Sequence, residues 1–331
     1  MANHNDNIPM VSISVLAYNH EKYIRKALDS ILMQKVNFLY EIVIGEDCSQ
    51  DGTRDILMEY KAKYPDKIKL ILNEKNLGMM ENAKNVRSNC MGKYRAGCEG
   101  DDYWTDPYKL QKQIDFLENN PQFIGTVHKV EIVDEDGNPK AGFNMDMYCK
   151  DRIYTLKHAE KGIMPGQTAS RVYRNILIND STAFEALNKC KANGDIKLSL
   201  YLALNGDIYC FDEVMSHHRW VTEGGDSWSA RTKNKNLNLY RFNSYIELSN
   251  LARQLKGVEM DYTAQYLGCG LGAFTALIMK PNIENLRIFT EIFWKYNRKI
   301  EMCLFIFKKC ITFPFRRAKR AFQSLKGHEV A

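Results

Sequence analysis

The sequence predicts an α/β fold: a mostly parallel sheet flanked by helices, then a smaller mixed region and a helical C-terminal extension. Three observations predict it. Short, β-rich apolar runs at 10–17, 40–45, 68–72 and 93–98 alternate with stretches whose apolar residues recur at helical spacing. That alternation calls for parallel strands joined by right-handed crossovers. Polar clusters follow three of the strands directly, namely Tyr18-Asn19, Glu46-Asp47 and the Glu-Gly-Asp-Asp run at 99–102. Ligands of open α/β sheets bind beyond the carboxyl ends of the strands, so the three clusters are expected to line one crevice.

The elements follow in order. MVSISVLA is the first strand, and Tyr18-Asn19-His20 turns it into a helix over 21–33 with Tyr23, Ile24, Ala27, Leu28, Ile31 and Leu32 on one stripe. YEIVIG is the second strand; a helix over 54–64 is closed by Pro65, and a third strand spans 68–72. A helix over 79–91 leads to the fourth strand. Tyr103, Trp104 and Asp106-Pro107 then turn the chain into a helix over 110–118, ended by Asn119-Asn120-Pro121. Residues 123–133 read as a strand and Asp136-Gly137-Asn138 as a hairpin turn. Beyond this the alternation is less regular: glycine- and proline-punctuated pieces over 141–180, helices over 181–192 and 196–204, and a strand over 208–211. From 237 the pattern is nearly all helical. The expected organisation is one domain over 1–230, in two halves (1–135 and 136–230), with the helical extension over 235–331.

Composition narrows the function. The chain has 331 residues, 45% of them hydrophobic, enough for one large or two small domains with a real core. Of the net charge of +6, the segment from Lys295 onward carries +8 (ten basic residues, two acids), leaving about −2 for the body. The body is therefore not a polyanion binder, and nucleic acid is not an expected partner. Nine cysteines without a CxxC pair point to free thiols in a reducing cytoplasm. The N-terminus lacks the apolar core of a signal peptide, and no run of 18 apolar residues suggests a spanning helix.

The stretch GKYRAGCEGDDYWTDP carries the chemistry. A strand that stops at adjacent carboxylates holds hard oxygen ligands at a rigid edge, a way to present Mg²⁺ or Mn²⁺ to a phosphate group. Taken alone, the run also suits an acidic surface turn. Neither GxGxxG nor GxxxxGK[ST] follows the first strand, which disfavours a dinucleotide fold and a P-loop NTPase. A diphosphate neutralised by a metal fits better than one cradled by backbone amides.

Four motifs in order, VSISVLAYNHEKYIRKALDSIL, EIVIGEDCSQDGT, NLGMMENAKNVRSNCMGKY and EGDDYWTDPYKLQKQIDFLENNP, resemble the inverting family 2 glycosyltransferases of GT-A fold. The resemblance is dense over 8–135, thinner to 230, and carries no motif beyond 235. It implies that Ala17, Tyr18, Asn19 and the neighbouring Glu21 meet the base and ribose of the nucleotide. Glu46 and Asp47 sit where the family sets an acid against the uracil ring, a sensible acceptor for its imide N–H. Asp101 and Asp102 occupy the DXD-type position; Asp102 is the expected direct ligand of Mn²⁺ or Mg²⁺, and Asp101 holds the ribose or a metal-bound water. Glu99 departs from the Asp of many members. The GDIKL segment resembles the family's (E)D-x-x-L element and makes Asp195 the candidate base, although Asp before a helix is also a common N-cap. HHRWVTEGGDS resembles the late R-x-H-x-G-G-x-S segment, which makes Arg219 a cation for the leaving diphosphate, with His217 or His218 in second place.

Other residues suit plainer roles as well. Asn76-Leu77-Gly78 reads as a loop beneath the nucleotide, and Arg87 faces the sheet where it could pair an acid. Gln167-Thr168-Ala169-Ser170 lies either on the acceptor's approach or on a polar strand edge. Tyr103 and Trp104 either stack on a sugar or anchor the metal loop.

In the tail, Ile300, Cys303, Leu304, Phe307 and Ile311 form an apolar stripe flanked by Lys299, Lys308 and Lys309, followed by Arg316, Arg317, Lys319 and Arg320. That pattern suits a helix lying on an anionic membrane, here its cytoplasmic face; packing on the body or against a second subunit are the alternatives. The expected activity is metal-dependent, inverting transfer from a nucleotide sugar, UDP-linked by the family pattern, to a saccharide or lipid-linked acceptor in cell-surface polysaccharide or glycolipid assembly. The alternatives are a catalytically inactive nucleotide-sugar binding or scaffold protein at the membrane, and a sugar-phosphate nucleotidyltransferase. The latter would need a glycine-rich phosphate loop that LAYNHEK lacks.

Overall fold

The computed structural model describes residues 8–140, 151–220, 232 and 234–310. These form two compact units. The first runs to the 232 position and includes Asn250–Met260; the second comprises Asn234–Ser249 and the chain from Asp261.

In the first unit, β1 (Val11–Ala17), β2 (Tyr40–Glu46), β3 (Ile68–Leu72) and β4 (Tyr94–Gly97) are parallel, in the order β3-β2-β1-β4. The period of two sorts their side chains. Val11, Ile13, Val15, Ile42, Ile44 and Tyr94 enter the main core with Ile24, Leu28 and Ile31 of α1 (Ile24–Leu32), Leu57 of α2 (Thr53–Lys63) and Leu110 and Leu117 of α4 (Lys109–Asn119). On the other face Val43 packs with Val86 and Cys90, brought by α3 (Met79–Ser88) and the residues after it.

The remaining strands extend the sheet beyond β4. β8 (Val172–Arg174) joins β4 to β6 (Phe123–Val133) through antiparallel pairing on both sides, and β6 runs parallel to β9 (Asp207–Arg219). The two-residue strands β5 (Tyr103–Trp104) and β7 (Ile153–Tyr154) pair antiparallel with β9. Short helices α5 (Leu156–Glu160), α6 (Ser181–Lys189) and α7 (Gly194–Ala203) complete the unit.

Three elements differ from expectation, each for a local reason. α1 begins at Ile24 rather than at 21, because the Tyr23 and Ile24 amides both donate to the His20 carbonyl and Asn19 sits at φ +55°. Tyr103 and Trp104 form a strand rather than a turn; Trp104 is 1% exposed and its indole N–H donates to the Ala169 carbonyl at 3.0 Å. β9 extends to Arg219 rather than ending near 211. Its exposed Asp212 and Glu213 fall in a break of register against β6, between Phe211 and Val214, where a bulge interrupts the apolar alternation.

The second unit is helical: Asn238–Lys256 contributes its first part, followed by Thr263–Met279, Ile283–Lys295 and a helix over 299–310. Phe242, Leu267, Ala273, Ile288, Ile292 and Met302 form its core. Among the described residues no helix is long and apolar enough to cross a membrane.

Candidate active site

The loops after β1 and β2 are stitched together by their own polar groups. The Asp47 amide donates to the Ala17 carbonyl, and the Asn19 amide to Ser49 Oγ. Glu21 accepts from the Gly52 amide at 2.9 Å, while its own amide donates to Asp51. Glu46 is fully buried, one oxygen accepting from the Ser49 amide and the other from Arg54 Nε, both at 2.6 Å. Asp47 is 3% exposed and accepts from Asn73 Nδ2, the Leu77 amide and the Gly78 amide, each at 2.9 Å. The carboxylates expected against a uracil ring are thus both engaged as loop staples. Tyr18 and Asn19 stay half-buried at the strand end beside them.

The loop after β4 is held differently. The Gly100 amide donates to the Leu16 carbonyl, and a Cβ at Gly100 would lie 2.5 Å from His20 Nδ1, so only glycine lets the loop sit this close to the end of β1. Glu99, Asp101 and Asp102 each bring a carboxylate oxygen to within 4.8 Å of the others. Asp102 is fully buried; its Oδ1 accepts from the Arg219 amide and lies 2.9 Å from His218 Nδ1. Burial raises the Asp102 pKa, opposed by His218. Burial also works against a charge on His218, but Asp102 overrides it and carries the imidazole up to about 9. Glu99 is pushed well above the usual carboxylate range by burial and then by the charges of Asp195, Asp102 and Asp101.

Asp195 comes from α7. The cap of that helix is Asn193, whose side chain accepts from the Asp195 amide at 3.0 Å, so the carboxylate of Asp195 is not spent on capping. Instead its Oδ1 accepts from Thr168 Oγ1 at 2.9 Å. Thr168 lies against Gly97, where a Cβ would come within 2.9 Å of its methyl. Four carboxylates and one imidazolium therefore share one end of β4. Their mutual repulsion is the condition under which a divalent cation is held strongly. The donor set, all carboxylate oxygens at a strand end, fits Mg²⁺ or Mn²⁺.

Arg219, expected as a cation for the leaving diphosphate, has its guanidinium engaged by neighbouring groups. It is 5% exposed, donates through Nε to the Glu135 carbonyl and through Nη1 to the Asp101 carbonyl, and lies 4.4 Å above the Tyr23 ring. It braces the acidic loop. Arg87 pairs with no described acid; burial and then the charge of Arg95 work against its own charge. Tyr103 and Trp104 are buried, and Tyr103 Oη lies 2.9 Å from His217 Nδ1, so the pair anchors the loop. His218, expected beside the diphosphate, lies against Asp102, and the Gln167 amide lies 2.8 Å from the same imidazole nitrogen.

The family model described as Glycosyl transferase family 2 matches residues 12–179. TuaG of Bacillus subtilis, named for a glycosyltransferase of teichuronic acid biosynthesis, is 34% identical over 229 residues, covering 68% of this chain and 85% of that protein. An uncharacterized protein of Mycobacterium tuberculosis is 36% identical over 214 residues, covering 65% of this chain but only 60% of that relative. Among solved structures, S. aureus TarS 1–349 in complex with UDP-GlcNAc superposes with a TM-score of 0.61 at 18% identity, covering 86% of this chain and 79% of that one. The mannosyltransferase PcManGT of Pyrobaculum calidifontis, in complex with GDP-Man and Mn²⁺, gives 0.52 at 13% identity, covering 92% and 86%. Parallel β1–β4, the acidic end of β4 and these matches agree: the chain belongs to glycosyl transferase family 2 and has a GT-A-like fold.

Proposed function

We propose that the protein transfers a sugar, with inversion, from a nucleotide-sugar donor to an acceptor hydroxyl, and that the donor is UDP-linked. The observation that carries this reading is the convergence of Glu99, Asp101 and Asp102 at the end of β4, with the Asp195 charge acting on Glu99. Asp101 and Asp102 would hold Mn²⁺ or Mg²⁺, which when bound supplies charge neutralisation at the diphosphate. Ala17, Tyr18 and Asn19 line the adjoining strand end, where base and ribose fit. Thr168 occupies one oxygen of Asp195, leaving the second to take the proton of the acceptor hydroxyl. The acceptor oxygen then bonds to the anomeric carbon from the face opposite the nucleotide. The bond from that carbon to the diphosphate oxygen breaks, and its electron pair leaves with the diphosphate. Arg219 and His218 act indirectly, by holding Asp101 and Asp102 in place.

The name of TuaG supports a role in cell-surface polysaccharide assembly, with a saccharide or lipid-linked acceptor. Peripheral binding to the anionic inner face of the cell membrane fits the C-terminal unit. Ile300, Leu304 and Phe307 are 77%, 64% and 66% exposed, whereas Met302 and Ile306 on the same helix are buried. Ile311 and the arginines after it lie outside the described residues. Basic residues near such a surface contribute about 1 kcal/mol each.

The test is nucleotide release from a panel of UDP- and GDP-sugars with Mn²⁺, with and without chelator. Chelator-sensitive release from at least one donor is the expected result. Donor binding without turnover under any acceptor condition would instead favour the inactive scaffold, and pyrophosphate-dependent formation of sugar phosphate would favour the nucleotidyltransferase.

A further inference from the structure

We propose that Arg87, Arg95 and Tyr173 form a binding site for a doubly charged phosphate group, on the α3 face of the sheet and separate from the acidic end of β4. Arg95 projects from β4 on that face, is 5% exposed, and donates through Nη2 to Ser14 Oγ at 2.8 Å. Its guanidinium carbon lies 5.9 Å from the ring of Tyr173, its direct partner across the β4–β8 pairing. Arg87 reaches the same place from α3, beside Cys90, whose Sγ lies 3.7 Å from Ser14 Oγ. The Nε groups of Arg87 and Arg95 are both buried and donate to no described atom. Two residues before Tyr173, Arg171 is buried as well, but its Nη2 donates to the Gly166 carbonyl and Ser199 Oγ, so it stands apart from the site.

No described carboxylate lies within ion-pair distance of these arginines, and the charge of Arg95 adds to burial in disfavouring that of Arg87. Arginine does not lose its proton in proteins, so the cost cannot be relieved by neutralisation. Two desolvated cations within electrostatic reach of each other call for an anion. A phosphate dianion offsets both charges and offers each guanidinium two oxygens, while a monocarboxylate leaves one charge over. The Tyr173 and Ser14 hydroxyls can add donors. Arg87 is half-buried, which leaves a way in from solvent.

The donor's diphosphate cannot serve both places. Arg95 lies four residues before Glu99, roughly 13 Å away at the rise of a strand. The group that binds is either free orthophosphate or a phosphoryl group carried on a larger molecule.

The full chain, unfolded thermally in phosphate-free buffer, tests this independently of sugar transfer. Millimolar inorganic phosphate should raise the midpoint saturably in the wild type and in Asp102→Asn, and acetate or chloride at matched ionic strength should not. Arg87→Gln should abolish the rise. In phosphate-free buffer that variant should unfold no lower than the wild type, because one of two repelling charges is gone; a merely structural arginine would show the opposite. An equal rise with glycerol phosphate assigns the site to phosphoryl groups on larger molecules, and a rise with orthophosphate alone assigns it to the free ion. No rise in the wild type, or the same rise in Arg87→Gln, overturns the proposal. Arg95→Gln is a second probe of the same loss, and Arg87→Gln decides the matter if Arg95→Gln does not fold.

Discussion

Glu46-Asp47 after β2 and Asp101-Asp102 after β4 look alike in sequence, since each is an acid pair at the end of a parallel strand. In the fold they are opposites. Glu46 and Asp47 are surrounded by donors, namely Arg54, Asn73 and the amides of Ser49, Leu77 and Gly78. The acids after β4 mostly face one another, and among the described residues only Asp102 has a donor pair, His218 and the Arg219 amide. A satisfied carboxylate is a structural brace, whereas carboxylates that repel each other at a strand end store the capacity to bind a cation. Adjacency of acids therefore says little about role; the number of donors aimed at them says much.

Breaking the contrast at β4 should have the largest effect. Asp102→Asn is expected to lower turnover by at least about 10³-fold and to remove any Mn²⁺-dependent rise in the unfolding midpoint. Asp195→Asn should lower turnover by about 10² to 10⁴-fold while leaving donor affinity within a few fold, measured by donor titration calorimetry. A fully active Asp195→Asn enzyme would remove this residue from the role of base.

At β2 the expected loss is of stability. Asp47→Ala takes the acceptor from three donors; the Gly78 amide keeps Asn76 Oδ1 and Asn73 Nδ2 keeps Asn82 Oδ1, while the Leu77 amide is stranded, so the change should cost roughly 1–3 kcal/mol in denaturant unfolding, with activity per folded molecule largely kept. The opposite pattern, stability intact and donor affinity lost, would make Asp47 a nucleotide ligand and erase the contrast.

Lys109, fully buried behind the β4 loop, allows a finer test. Burial pushes its amine down to about 7, against weaker support from Cys98 and Asp106; it donates to Gln113 Oε1 and lies 4.2 Å from the Trp104 ring. Between about pH 7 and 10.5 the unfolded chain binds this proton and the folded chain does not, so stability rises with pH across that window; below 7 the cost is complete and constant. Lys109→Met should remove that slope, a difference of up to about 5 kcal/mol between the two ends at about 1.4 kcal/mol per pH unit. The smallest effect is expected at Glu21, whose exposed carboxylate accepts from the Gly52 amide: Glu21→Gln should change stability by less than about 1 kcal/mol.

Much of the fold was legible because the β-rich runs are buried on both faces and so read as continuous apolar segments, as in VSISVLA and YEIVIGE. β9 was not, because its acids occupy a bulge, and β5 was not, because two residues carry no periodicity. At the site, the acidic run after β4 could be read from position. The Asn193 cap, which leaves the Asp195 carboxylate to other work, could not, since Asn and Asp are equally good caps in sequence.

The sequence by itself determined the parallel arrangement of β1–β4 and the strand ends where polar residues gather, because hydrophobic periodicity and crossover handedness act locally. Only the tertiary structure decided which acids are satisfied and which are not. The donors that make the difference, Asn73 and Gly78 for Asp47, His218 and the Arg219 amide for Asp102, lie 26, 31, 116 and 117 positions away along the chain. Electrostatic environment is set by neighbours in space, and no local pattern encodes who those neighbours will be.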